Sequence, residues 1–230
     1  DIVSGESFAR HYVFMARTTA ELLTDDLFRP ALPPGVVLRA GLFDETQQAQ
    51  LLAAVRAVAA AAPLAQARTT SGGVYSAAMT NCGAAGWWSD EKGYRYQDTH
   101  PDAGTPWPTM PDELRAAAKD AVAATRWPGF DPDVCLINYY AAGAEMGLHQ
   151  DKDEKDFSQP IITVSLGDAA DFMIGGMARS DKAMPVILRS GDVLILGGAA
   201  RLRFHGIRKI YSGTSSLAGV NGRFSLTFRK

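Results

Sequence analysis

Only four histidines occur in the 230 residues, at positions 11, 100, 149 and 205, so each imidazole can be weighed separately. His149-Gln150-Asp151 sets an imidazole and a carboxylate two residues apart, and on an extended segment those side chains share one face. His205 follows inside the apolar run Leu202–Ile207. Two His and one carboxylate leave the rest of an octahedron open, the facial arrangement of non-haem Fe(II) oxygenases. The same donors also suit zinc. Taken alone, His-x-Asp in the acidic stretch Asp151–Asp156 equally reads as a solvated turn, and His205 as a hydrogen-bonded core residue. His11 and His100 have no partner at ligand spacing and read as ordinary.

The C-terminal run Arg223-Phe224-Ser225-Leu226-Thr227-Phe228-Arg229 alternates strictly between polar and apolar residues, so Arg223, Ser225, Thr227 and Arg229 share one strand face. An edge strand with its polar face in water gives the same pattern. If that face lines a barrel mouth instead, the two Arg Cα atoms stand roughly 20 Å apart. Arms leaning inward then leave a guanidinium gap of about 6–8 Å, the scale of a five-carbon dicarboxylate. A facial triad beside such a ruler points to 2-oxoglutarate, whose keto-acid end can chelate Fe(II) while its distal carboxylate takes an Arg fork.

These side chains need a scaffold, and the pattern around them is mostly β. Val134–Tyr140, Pro160–Leu166, Ala170–Ile174, Val186–Arg189, Val193–Leu196, Leu202–Ile207 and Arg223–Arg229 are β-branched or aromatic runs parted by glycines. Strands without intervening helices imply an antiparallel sandwich or jelly roll. Upstream, Asp44 and Gln47 form a capping-box pattern ahead of Leu51, Leu52, Val55 and Val58, which predicts a helix over 44–61 stopped by Pro63. A second helix starts near Pro111 and runs through Leu114, Ala118 and Val122. Between them, a glycine-rich loop-and-hairpin region carries Tyr75, Trp87, Trp88, Tyr94, Tyr96 and Trp107. The expected fold is therefore mainly β with flanking helices. Residues 1–130 form an N-terminal extension with an aromatic lid at about 68–110, and 131–230 a double-stranded β-helix core, integrated as one domain. The first 30 residues are mixed and carry no clear signal.

Composition narrows the rest. Hydrophobic residues at 47% and charged residues at 21% are ordinary for a globular chain, and the formal net charge of −2 argues against an obligate basic nucleic-acid binder. Charge is nevertheless separated along the chain: residues 201–230 hold seven Lys or Arg and no acid, while 131–160 hold seven acids and two lysines. Any contact with nucleic acid should then be brief, local and salt-sensitive. Cys82 and Cys135 cannot make a disulfide framework, and no signal-peptide order or membrane span is evident, so the expected compartment is the cytoplasm.

The combination resembles the AlkB family of Fe(II)/2-oxoglutarate-dependent dioxygenases. The likeness rests on Leu136-Ile137-Asn138-Tyr139-Tyr140, on Gly143 and Leu148-His149-Gln150-Asp151-Lys152-Asp153-Glu154, and on Gly191-Asp192-Val193, Phe204-His205-Gly206 and the last strand. It extends upstream through Ala78–Gly83, Gly86-Trp87 and Pro106-Trp107-Pro108, over roughly residues 68–230. By position, it implies that His149, Asp151 and His205 hold iron, and that Asn138, Tyr140, Arg223, Ser225 and Arg229 bind 2-oxoglutarate. It implies that Trp87 and His149 sandwich a flipped base, and that Tyr94 and Tyr96 line the lid against the nucleic-acid backbone. Asp153 would meet the exocyclic amine, and Arg179 a phosphate or the base rim. The implied activity is oxidative demethylation of N-alkylated bases in single-stranded or flipped-base DNA and in RNA, by a monomer using Fe(II), 2-oxoglutarate and O2. Two positions depart from the family pattern: Ser225 replaces the usual Asn, and Tyr139 replaces a basic residue and should face away from the cosubstrate.

Overall fold

The computed structural model describes residues 31–230, so the expectations for residues 1–30, His11 included, lie outside the described residues. In chain order the elements begin with β1 (Val36–Arg39), α1 (Glu45–Ala61), β2 (Ala78–Gly83), β3 (Gly86–Asp90), β4 (Gly93–Gln97) and α2 (Asp112–Val122). They continue through β5 (Val134–Tyr140), β6 (Met146–His149), β7 (Ile161–Gly167) and β8 (Ala169–Ile174). The chain closes with β9 (Met184–Leu188), β10 (Val193–Leu196), β11 (His205–Tyr211) and β12 (Arg223–Arg229). The major sheet runs β1-β10-β7-β12-β5-β2, the minor sheet β6-β11-β8-β9, and β3 and β4 make a separate hairpin. All pairings are antiparallel, as the jelly-roll reading requires. Residues before 131 supply both edge strands of the major sheet. Among the described residues, no helix is long and apolar enough to cross a membrane.

Two apolar layers hold this arrangement. Helix α1 starts where expected: the Asp44 carboxylate accepts from the Gln47 backbone N–H, and the Gln47 side chain accepts from the Asp44 N–H. That reciprocal cap satisfies donors the helix cannot use internally. Leu51, Val55 and Val58 then pack with Leu114 and Ala118 of α2 against Ile137, Ile162, Val164, Leu226 and Phe228 on the outer face of the major sheet. A second cluster fills the space between the sheets with Phe172, Ile174, Leu188, Leu194, Leu196 and Ile207. Fully burying each Leu, Ile or Phe contributes about 1.5–3 kcal/mol, so the helices clamp the major sheet from one side.

Strand β12 decides where the polar residues go. It lies between β7 and β5, in the middle of the major sheet rather than at an edge. Leu226 and Phe228 face the helices, so Arg223, Ser225, Thr227 and Arg229 must face the interior of the roll, all four buried. Buried charge is costly unless paired, so the interior must supply partners.

Several local features differ from the sequence reading, which marks no strand at Val36–Arg39 or Ala78–Gly83. Strand β6 was not foreseen: its four residues include Gly147 and pair with β11 only at Met146 and His149. The run expected over Leu202–Ile207 begins as a strand at His205 and continues to Tyr211, because β11 follows β8 down to Ala169. Gly206 makes the junction of β6 and β11 possible. A Cβ there would lie 2.4 Å from the Met146 carbonyl oxygen. Gly206→Ala should force the strands apart, cost about 1–3 kcal/mol in urea unfolding and weaken divalent-metal uptake. Unchanged stability and metal affinity would contradict the packing account.

Candidate active site

The pairing of β11 with β6 sets His205 directly opposite His149, with ring centroids 4.5 Å apart. Asp151 follows in the irregular segment after β6, and the ligating atoms of His149, Asp151 and His205 all lie within 4.8 Å of one another. His205 Nε2 stands 3.5 Å from Asp151 Oδ2, and His149 Nε2 4.0 Å from Oδ1. Each imidazole places Nδ1 on a backbone carbonyl, that of Gly147 at 2.9 Å for His149 and of Arg203 at 3.0 Å for His205. When both Nδ1–H groups donate there, both Nε2 lone pairs face the carboxylate, which orients the rings as metal ligands. Desolvation and the neighbouring His205 lower the His149 pKa to about 4, favouring the neutral, ligating form.

A buried ion cluster holds the carboxylate. Burial opposes the charge of Asp151, but Arg229, then His205 and His149, override it and hold the carboxyl well below its usual range. Arg229 donates from Nη2 to Asp151 Oδ1 at 2.8 Å, and from Nη1 to Glu154 Oε1 at 3.1 Å and the Tyr96 hydroxyl at 3.2 Å. Tyr96 donates to the same Glu154 oxygen at 2.5 Å. Arg201 closes the cluster, reaching Glu154 Oε2 at 3.0 Å, the Asp151 carbonyl at 2.6 Å and the Gln159 carbonyl at 3.0 Å. Tyr96 therefore turns inward, and its hydroxyl is not offered to a nucleic-acid backbone as the lid expectation had it. A doubly arginine-bound carboxylate is a stronger partner than water.

Beside the triad, three neighbouring strands of the major sheet align a polar stripe. Asn138 of β5, Ser225 of β12 and Ser165 of β7 are in register, as are Tyr140, Arg223 and Gly167. Arg223 is fully buried. It donates to Ser165 Oγ at 2.7 Å, and its Nε and Nη1 groups have no hydrogen-bond partner. Burial lowers its pKa to about 10, still charged at neutral pH. Two unmet donors on a buried cation are a standing demand for an anion. Tyr139 points the other way, packing on Phe224 at 4.9 Å.

A cavity of about 530 Å³ is lined by the triad, Asn138, Tyr140, Ser225 and Arg229. Trp87, Tyr94, Asp153 and Arg179 line it too, together with Tyr75 and Met79. Asn81 anchors the lid by exchanging two 3.0 Å hydrogen bonds with the Trp87 backbone. The Trp87 indole donates to Asp153 Oδ2 at 2.8 Å, stacks on Tyr94 at 5.8 Å and meets Tyr75 edge-on at 6.5 Å. Arg179 donates to the Leu148 carbonyl at 2.5 Å and lies over the Phe204 ring. Glu154 and Arg201 have no role of their own in the sequence reading, because each reads there as an ordinary solvated charge.

The depressed pKa of His149 has a measurable consequence. Below about pH 6.5 the unfolded chain takes up a proton there that the folded chain resists until about pH 4. The metal-free protein should therefore lose stability as pH falls through that window, and His149→Gln should flatten the profile. Thermal melts at stepped pH check this, and superimposable profiles would contradict it.

Comparison with known proteins agrees with the geometry. The family model of the 2OG-Fe(II) oxygenase superfamily matches residues 35–229. An alpha-ketoglutarate-dependent dioxygenase AlkB homolog of Caulobacter vibrioides is 47% identical over 197 residues, covering 86% of this chain and 88% of the relative. The AlkB dioxygenase of Escherichia coli K12 is 41% identical over 212 residues, covering 89% and 97%. Among solved structures, OsALKBH1 superimposes with a TM-score of 0.71 at 32% identity, covering 87% of this chain and all of that one. The chain belongs to the AlkB family of 2OG-Fe(II) oxygenases.

Proposed function

We propose that this protein removes N-linked methyl groups from nucleobases such as 1-methyladenine and 3-methylcytosine in DNA and RNA. The observation that carries the reading is one cavity lined both by a facial triad and by an aromatic wall bearing a carboxylate. The donors suit the cofactors of the family. His149, Asp151 and His205 would hold Fe(II), and the unmet Arg223 donors suit the distal carboxylate of 2-oxoglutarate. Asn138, Tyr140, Ser225 and Arg229 complete that pocket. When bound, these reagents with O2 supply the oxidising power: one oxygen atom enters succinate as CO2 is lost, and the other enters the N-methyl group. The hydroxylated methyl then leaves as formaldehyde and restores the base.

The protein's own residues bind and orient. Trp87 offers a stacking face, with His149 opposite, to a single base that is either unpaired or extruded from a duplex. Asp153 accepts from the exocyclic amine and favours a cationic methylated ring. Tyr94 and Arg179 at the rim contact the flanking backbone. Phe172, stacked on His205 at 5.7 Å, keeps the triad under an apolar cover that limits water. The protein acts as a monomer, and a reducing compartment such as the cytoplasm suits the free thiols of Cys82 and Cys135.

Incubation with a 1-methyladenine or 3-methylcytosine oligonucleotide, Fe(II), 2-oxoglutarate and O2 should yield restored base and formaldehyde in equal amounts, with succinate. Succinate without base repair would refute the substrate assignment. Asp153→Ala should cut kcat/KM on these cationic bases about tenfold or more and affect neutral methylated bases less. Equal losses on both would remove that role. Arg223→Gln should raise the KM for 2-oxoglutarate at least about tenfold, and an unchanged KM would contradict the pocket assignment.

A further inference from the structure

The buried cluster beyond the triad contains a residue whose position exceeds what folding alone requires. Glu154 is 8% exposed, lies three residues after Asp151 and engages both carboxylate oxygens. Oε1 accepts from Tyr96 and Arg229, and Oε2 from Arg201. Both arginines also reach Asp151, Arg229 at the side-chain Oδ1 and Arg201 at the main-chain carbonyl. Two acids and two arginines thus balance to zero inside the fold. Arg229 is held at two points: Asp151 takes one terminal nitrogen, while Glu154 and Tyr96 share the other.

This matters for the number of oxygens Asp151 can give a metal. With Oδ1 committed to Arg229, Oδ2 is the oxygen nearest His205 Nε2 and the one left to ligate. A carboxylate limited to one bond keeps three neighbouring coordination positions clear. We infer that Glu154 is a positioning residue which, with Tyr96 and Arg201, fixes Arg229 on Asp151 Oδ1 and so keeps Asp151 a one-oxygen ligand. Without Glu154, Arg201 loses its carboxylate partner and Arg229 two of its tethers, because the Tyr96 hydroxyl loses its own acceptor. Asp151 can then rotate out of its ligating orientation or offer both oxygens, so the site is no longer preset for the metal. Tyr96 carries the same constraint from the hairpin, across the register pair that joins it to Trp87.

The inference rests on the iron and 2-oxoglutarate reading but not on the identity of the substrate, so its test omits nucleic acid. Mn(II) titration of the metal-free protein followed by electron paramagnetic resonance gives metal affinity. Anaerobic Fe(II) with 2-oxoglutarate, followed by visible absorption, gives cosubstrate affinity and the signature of the chelate. Glu154→Gln, similar in shape but neutral, should weaken Mn(II) binding about 10- to 100-fold and shift the chelate band. Tyr96→Phe removes one hydroxyl, and should move both readouts in the same direction by a smaller factor. Glu154→Asp should recover part of the loss. If Glu154→Gln does not fold, Tyr96→Phe decides. Wild-type Mn(II) affinity and an unshifted band in a folded variant, with only the melting temperature lowered, would reduce Glu154 to a structural ion pair and overturn the inference. Normal metal and cosubstrate readouts in a wild-type protein inactive on methylated oligonucleotides would instead count against the substrate reading alone.

Discussion

The ion pair between Arg229 and Asp151 is the constraint on which the rest of the structure depends. A metal site needs a charged carboxylate out of bulk water, yet burial alone would neutralise it. A guanidinium 2.8 Å away settles that conflict, and creates a second one because the guanidinium is buried too. Glu154 answers it at 3.1 Å from Arg229, and is itself held by Arg201 at 3.0 Å. The helices on the outer face of the major sheet have their part as well. By covering Leu226 and Phe228 they compel the alternating β12 strand to present its arginines inward.

Much of this was legible in the sequence where local periodicity carries the information. Strands β5, β10 and β12 occupy the residues their alternating or apolar runs mark, and the Asp44–Gln47 cap starts α1 where expected. The triad could be nominated because histidines are few and His-x-Asp has the parity of a strand. What stayed hidden depends on contacts between distant segments. Strand β6 has no propensity of its own and exists because β11 accepts it across Gly206. Glu154 and Arg201 lie 47 residues apart, and nothing near either one distinguishes it from a surface charge. Tyr96 shares its strand parity with Tyr94, so alternation could not say that one would be buried on an acid and the other half-exposed.

The net charge of −2 takes on a different meaning in this light. Of the seven bases in residues 201–230, Arg201, Arg223 and Arg229 are buried in the interior and are unavailable to a polyanion at the surface. Asp151 and Glu154 are likewise spent inside. That C-terminal segment therefore offers a polyanion little of its apparent positive charge. On the proposed reading, recognition leans on stacking against Trp87 and on the Asp153 carboxylate held by its indole N–H, in a transient capture of a single base.

The most direct test of this account is a crystal structure with Mn(II) and 2-oxoglutarate bound. It should show Asp151 ligating through Oδ2 alone with Oδ1 still on Arg229, and the distal carboxylate of the cosubstrate on the Nε and Nη1 groups of Arg223. An Asp151 bound through both oxygens and released from Arg229, or a distal carboxylate seated away from Arg223, would contradict it.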